Sequence, residues 1–166
     1  MYKHFGQPDE VAFSAWTVDA VYADPCHWRA SALSPLELTS HGHGESGAIV
    51  LTGPGDGGLA NQALRSPSAP TEVSLGGQRA LRVELSVPAD LDIATCDQGQ
   101  FRSWTEWDVA DGANSHHASG QVDVVYMVDV DRRALVIDAS HGPAASRADL
   151  AELDGILASM VIDRGR

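Results

Sequence analysis

The sequence predicts an α+β fold: a mostly antiparallel sheet with helices packed on one face, in two layers. Three observations predict it. Several segments alternate apolar and polar residues with the period of two that half-buries a strand. One pair of them flanks Gly76-Gly77, a two-residue hairpin signal. Near the C-terminus Leu150, Leu153, Leu157 and Met160 recur at steps of 3, 4 and 3, an apolar helix stripe that needs a surface to lie on.

The chain has 166 residues, 43% hydrophobic and 20% charged. That is ordinary globular usage and one domain's worth of chain. We expect residues 1–10 to be a flexible N-terminal segment and residues 11–166 to form a single domain.

Each element follows from its local pattern. Ala12, Trp16, Val18, Ala20 and Tyr22 share one side of an expected strand that ends at Asp24-Pro25. Residues 34–38 open a short helix or strand, and 41–47 have loop composition. Residues 48–52 read as a short apolar strand, and 59–65 as a two-turn helix stopped by Pro67 and Pro70. Leu81, Val83, Leu85 and Val87 alternate with Arg82, Glu84 and Ser86 after the glycine turn. A short strand is expected at 101–104 and a polar loop at 108–121.

Val122, Val124, Tyr126, Val128 and Val130 alternate in the strongest strand, whose other face (Asp123, Val125, Met127, Asp129) is only partly polar. Its position is therefore expected to be central. Asp131-Arg132 turns it into a strand at 134–139. Ser146-x-x-Asp149 is a capping box opening the last helix. The expected core is Leu81, Val83, Leu85, Val124, Tyr126, Val128, Leu150, Leu153 and Leu157.

Charge narrows the functions. The 23 acidic residues outnumber the 11 basic ones, for a formal net charge of −12, and no basic run exceeds Arg132-Arg133. Such a field repels phosphate backbones, so nucleic acid is not an expected partner. No apolar run approaches a membrane span, and no direct membrane insertion of this chain is expected. The first eight residues contain no apolar signal-peptide region.

Cys26 and Cys96 lie too far apart for a C-x-x-C motif. Three readings stand: a disulfide, two buried thiols, or a nucleophile at Cys26 beside His27. Each cysteine ends an expected strand beside turn residues, Asp24-Pro25 and Asp97-Gln98-Gly99, which favours the disulfide. A structural disulfide in turn favours an oxidising compartment over the cytoplasm.

Three blocks carry a resemblance. They are Trp16 through Asp24-Pro25-Cys26-His27-Trp28, Leu75-Gly76-Gly77 through Cys96, and residues 122–139 followed by 149–160. Together they resemble the extracytoplasmic α/β domains of unknown function found in secreted or membrane-anchored actinobacterial proteins, with the general look of the Mog1/PsbP-like fold. The resemblance spans most of the chain apart from residues 30–60. It implies a two-layer fold, Cys26 paired with Cys96, and a sensing or binding role, and it implies no catalytic set. The sequence departs from the pattern in its Gly/His-rich stretch at 41–58, in Arg132-Arg133 at a turn, and in lacking a visible anchor.

Several candidate sites remain. Residues 53–58 fit G-x-G-x-x-G, but Pro54 removes an amide donor and Asp56 repels phosphate, so a plain loop is expected. His41, His43 and Glu45 share a side by the period of two, and His116 and His117 would complete a tetrahedral divalent-metal site if the loops met. The competing expectation is solvated surface histidines. Asp123, Asp129, Asp131 and Asp138 form a carboxylate cluster, expected as the wet edge of a hairpin. Trp104 and Trp107 bracket a Thr-Glu turn and are candidates for one wall of a cleft. The functional expectation is a non-enzymatic extracytoplasmic domain binding a small ligand or protein partner, with no cofactor. The alternative is a small, metal-assisted enzyme using the histidine loops.

Overall fold

The computed structural model describes residues 1–35, 37–41, 48–52, 58–106, 113–116, 118–130 and 133–163. Its strands are β1 (Tyr2–Lys3), β2 (Val11–Thr17), β3 (Ala20–Tyr22), β4 (Leu33–Pro35), β5 (Glu37–His41), β6 (Ala48–Thr52), β7 (Ser66–Pro67), β8 (Thr71–Leu75), β9 (Gln78–Ser86), β10 (Phe101–Thr105), β11 (Ala113–His116), β12 (Val122–Val130) and β13 (Arg133–His141). One α-helix, α1 (Arg147–Ser159), follows. The larger sheet runs β1-β2-β13-β12-β9, with β7 and β8 both paired to the outer side of β9. The smaller runs β11-β10-β3-β4, and β5 pairs with β6. All pairings are antiparallel.

The fold is sheet-dominated α+β, with β12 central as expected. It differs from the expected arrangement in what covers the sheet. The face carrying Leu81, Val83, Leu85, Val125, Met127 and Val136 packs on Val18, Val21 and Trp104 of the smaller sheet's segments. The opposite face meets α1 and the residues after it: Leu153 packs with Val11 and Ala139, and Ile162 with Leu75, Ala80 and Ile137. A layer of several helices is thus replaced, among the described residues, by one helix on one side and a second sheet on the other.

Three further expectations change. In the register, Val125 faces Val83 and Met127 faces Leu81. The partly polar face of β12 is therefore the sealed one, while Val124 and Tyr126 lie half-buried on the helix side, opposite to Leu81 and Val83. The expected long first strand divides at Val18-Asp19 into β2 and β3, and the chain changes sheets there. The expected helix at 59–65 is a 3-10 turn at Leu59–Asn61, ended by extended Gln62, and two residues on Leu64 takes a left-handed φ of 63°. That conformation is costly for a residue with a Cβ. It turns half-exposed Leu64 outward and sends Arg65 inward.

The hairpin and the cap follow the sequence. Gly76 and Gly77 both have positive φ, as a two-residue turn of this twist requires. A Cβ on Gly76 would also lie 2.9 Å from the Ile162 backbone nitrogen, which donates to the Gly76 carbonyl. Ser146 Oγ accepts from the Asp149 amide at the start of α1. The opening decapeptide contains β1, and Lys3 Nζ reaches Asp149 at 3.0 Å and Glu152 at 2.5 Å on α1.

Candidate functional site

Between the two sheets, four elements deliver polar side chains to one sealed place. Arg65 enters from the turn before β7, Ser103 from β10, His116 from β11 and Asp123 from β12. The Arg65 and Asp123 side chains have no exposed surface. Arg65 Nη2 lies 2.5 Å from Asp123 Oδ2, 2.5 Å from Ser103 Oγ and 3.0 Å from His116 Nε2. Nη2 has two protons. One assignment accounts for these contacts: the two protons go to Asp123 and Ser103, and the Ser103 hydroxyl donates to His116 Nε2 across 3.0 Å, while Arg65 Nε and Nη1 are buried without a hydrogen-bond partner.

This is not a hydrolytic triad. There the carboxylate holds one ring nitrogen while the serine uses the other. Here Asp123 Oδ2 lies 3.3 Å from the same Nε2 that Ser103 contacts. The cationic guanidinium occupies the space a reacting atom would need.

The surrounding groups complete the seal. Gln62 Nε2 donates to the Tyr22 and Ser103 carbonyls at 2.9 and 2.6 Å. It takes the rung beyond Trp104–Val21, where the β3–β10 ladder ends. Asp138 faces the same interior from β13, opposite Val125 and diagonal to Asp123. Asn114 Nδ2 donates to its Oδ2 at 3.1 Å. Burial first, and then the Asp123 charge, push the Asp138 carboxyl well above its ordinary value, against the opposing pull of Arg65 and Asn114.

The expected site residues separate accordingly. His116, expected in a solvated or metal-binding loop, ends β11 with 1% exposure, and the neighbouring guanidinium makes its Nε2 a poor ligand for a cation. Asp123 and Asp138 are interior, not the wet edge of a hairpin. Trp104 is fully buried against Trp16, ring centroids 6.3 Å apart, and lines no surface cleft. Trp107, His43, His117, Asp131 and residues 53–57 lie outside the described residues, as does the side chain of His41. Among the described residues no three His, Cys, Asp or Glu side chains are grouped to hold a metal ion.

The disulfide is present, Cys26 to Cys96, with Cα atoms 4.6 Å apart. It packs with Val87, Ile93 and Phe101. Around it the Asp97 amide donates to the Cys26 carbonyl and Trp28 Nε1 to the Asp97 carbonyl. Burial raises the Asp24 carboxyl, but hydrogen bonds from His27 and from the Cys26 amide outweigh this and hold it below the usual carboxylate value. The segment after β9 is thereby fixed at both its strand end and its disulfide end.

That fixed segment walls a surface groove of about 580 Å³. The groove lies at one end of the larger sheet, where the chain enters or leaves four adjacent strands. Its walls include Pro8 before β2, Leu91 and Asp92 after β9, Gly120 before β12 and Pro143 after β13. Small residues leave the space open. A Cβ on Gly142 would lie 2.2 Å from the Pro8 carbonyl oxygen, so only glycine lets these two walls meet. Hydrogen bonds from the Gly142 amide to Glu10 and from the Ala144 amide to Pro8 join them.

Sequence reasoning missed Arg65, Gln62, Ser103 and Asn114, and it missed the groove. One signal was available: Asp123 and Asp138 lie on faces otherwise filled by Val125, Met127 and Val136, and a buried carboxylate requires partners.

No protein-family model matches this chain, and no curated protein or solved structure matches it. Among the described residues no helix is long and apolar enough to cross a membrane.

Proposed function

We propose that this chain is a non-enzymatic extracytoplasmic domain that binds a small ligand or a protein segment in the groove at the end of its larger sheet. The observation that carries the reading is the groove itself. Its volume falls in the range of ligand pockets, about 300–1,000 Å³, and its walls are loops held by a rigid scaffold. Glycine, alanine and proline line much of it, with Asp92 as a carboxylate, which suits a compact neutral or cationic group. Burial of Ser103, His116 and Asp123 behind Arg65 supports a non-catalytic role, since a substrate would have to displace the interior to reach them.

The disulfide supports the extracytoplasmic part of the reading, because such bonds persist in oxidising compartments. Kinship with the secreted actinobacterial α/β domains and the Mog1/PsbP-like fold belongs to the same proposal.

The test is an amide-resolved NMR titration of the intact chain with indole, benzamidine and proline amide as probes. Saturable shifts are expected at Leu91–Ala94 and Ser119–Gly120 and should vanish in Ala94→Trp, which fills the groove. Shifts confined to other surfaces, or none with any probe, would overturn the site. Hydrolysis of a chromogenic ester that disappears in Ser103→Ala would overturn the non-enzymatic part.

A further inference from the structure

We propose that Asp138 and Asn114 form a carboxylic acid–amide clasp between the two sheets that is closed only while Asp138 holds its proton, so that the packing of this domain weakens as pH rises. Asp138 belongs to β13 of the larger sheet and Asn114 to β11 of the smaller. Both are buried, with 3% and 6% exposure. Asn114 Nδ2 donates to Asp138 Oδ2 at 3.1 Å, and each side chain has one further oxygen, Asp138 Oδ1 and Asn114 Oδ1, with no donor bonded to it. Two such oxygens cannot satisfy each other while the carboxyl is ionised. A proton on Oδ1 converts one of them into a donor and permits the two-bond ring that a carboxylic acid makes with a primary amide.

The surrounding charges favour the protonated form. Asp123 of β12 faces the same interior and is paired to Arg65. Arg65 Nη2 gives its protons to Asp123 and Ser103, and the Arg65 charge pulls against protonation of Asp138 without outweighing burial and Asp123. His116 of β11 faces Arg65 and Ser103. On the β1 and β2 side, Asp138 stands opposite Ser14, and the Tyr2 hydroxyl lies within electrostatic reach of a carboxylate at Asp138 or Glu10, which would disfavour its ionisation. β5 also packs on β13, and its side chains lie outside the described residues. An ionised Asp138 would therefore add a second negative charge to a sealed space holding one guanidinium.

The sign follows from linkage. The folded state holds the proton to higher pH than the unfolded chain does. The clasp's contribution is therefore complete below the ordinary carboxylate value and is lost as pH rises through the raised one. Between those two values the folding constant falls by up to about tenfold per pH unit.

The experiment compares urea denaturation of the wild type and Asp138→Asn from pH 5 to pH 10, alongside the Asp138 side-chain carboxyl 13C shift of the folded wild type. We expect the 13C shift to report an ionisation well above the ordinary carboxylate value. We also expect Asp138→Asn, which keeps an amide–amide pair, to flatten the decline with rising pH. A carboxyl already ionised at pH 5, as an ordinary carboxylate would be, overturns the clasp, as does a decline of equal slope in both proteins. If Asp138→Asn does not fold, the 13C shift of the wild type alone decides.

Discussion

Reducing the Cys26–Cys96 bond tests how much of the fold, and of the groove, depends on one cross-link. The two residues are 70 positions apart. The loop-entropy relation for a closed loop of about 70 residues gives roughly 4 kcal/mol at 25 °C. At about 2–4 °C per kcal/mol for a chain of this length, the melting temperature should fall by roughly 8–16 °C. Both cysteines are nearly inaccessible, with 3% and 5% exposure, so reduction must be carried out in denaturant and followed by refolding under reductant. Calorimetry of the oxidised and reduced proteins then gives the difference directly. Hydrogen exchange adds a spatial check: amides at 89–97 should lose protection first, because β9 and the disulfide hold the two ends of that segment. Those of β12, paired on both sides by β9 and β13, should keep theirs. Melting within about 2 °C of the oxidised form, or two free thiols in the unfolded, unreduced chain, would refute the reasoning.

Two substitutions probe the interior. Arg65→Met leaves Asp123 without its cation in a sealed space and should cost about 3–5 kcal/mol in urea denaturation. Adding Asp123→Leu should recover most of that loss, and a double variant no more stable than Arg65→Met would contradict the pairing. Leu153→Ala removes the buried anchor of α1 against Val11 and Ala139 and should cost about 2–5 kcal/mol by the same measurement. A loss under about 0.5 kcal/mol would mean that the helix contributes little to the packing.

The legible parts of the fold were those whose signal is local. Gly76-Gly77 requires positive φ whatever surrounds it, and Ser146-x-x-Asp149 caps a helix with its own side chain. Alternation identified β9 and β12 as strands, but alternation has two faces. On β12 the valine-rich face reads as the core because Asp123 and Asp129 mark the other. A single sheet with helices on one side has one apolar face, and that premise leaves out the second: Val128 is buried as expected, but Val125 and Met127 of the other face are fully buried too. With a second sheet opposite, both faces of β12 meet protein, and the face with the carboxylate is the more deeply sealed. The second sheet was hard to foresee. β3 and β4 have three residues each, and β2 runs almost directly into β3, so the pattern reads as one strand.

The interior polar cluster was illegible for a related reason. Its members are Gln62, Arg65, Ser103, Asn114, His116, Asp123 and Asp138, and no two are closer than two positions in the chain. Each reads alone as a surface residue, because polar side chains are mostly exposed. Their meeting depends on Leu64 taking a left-handed turn, on β10 and β11 pairing, and on the register that places Asp138 diagonal to Asp123. Buried polar groups of this kind cost stability unless their partners are complete. The same arrangement that hides a serine, a histidine and two aspartates from substrate therefore makes the domain's stability depend on one arginine and on one retained proton. The groove depends on neither. Its walls are set by the disulfide, by Gly142 against Pro8 and by the four strand ends. Binding at the groove should accordingly persist at any pH where the domain stays folded, and in an NMR titration across pH it should fail together with the fold rather than before it.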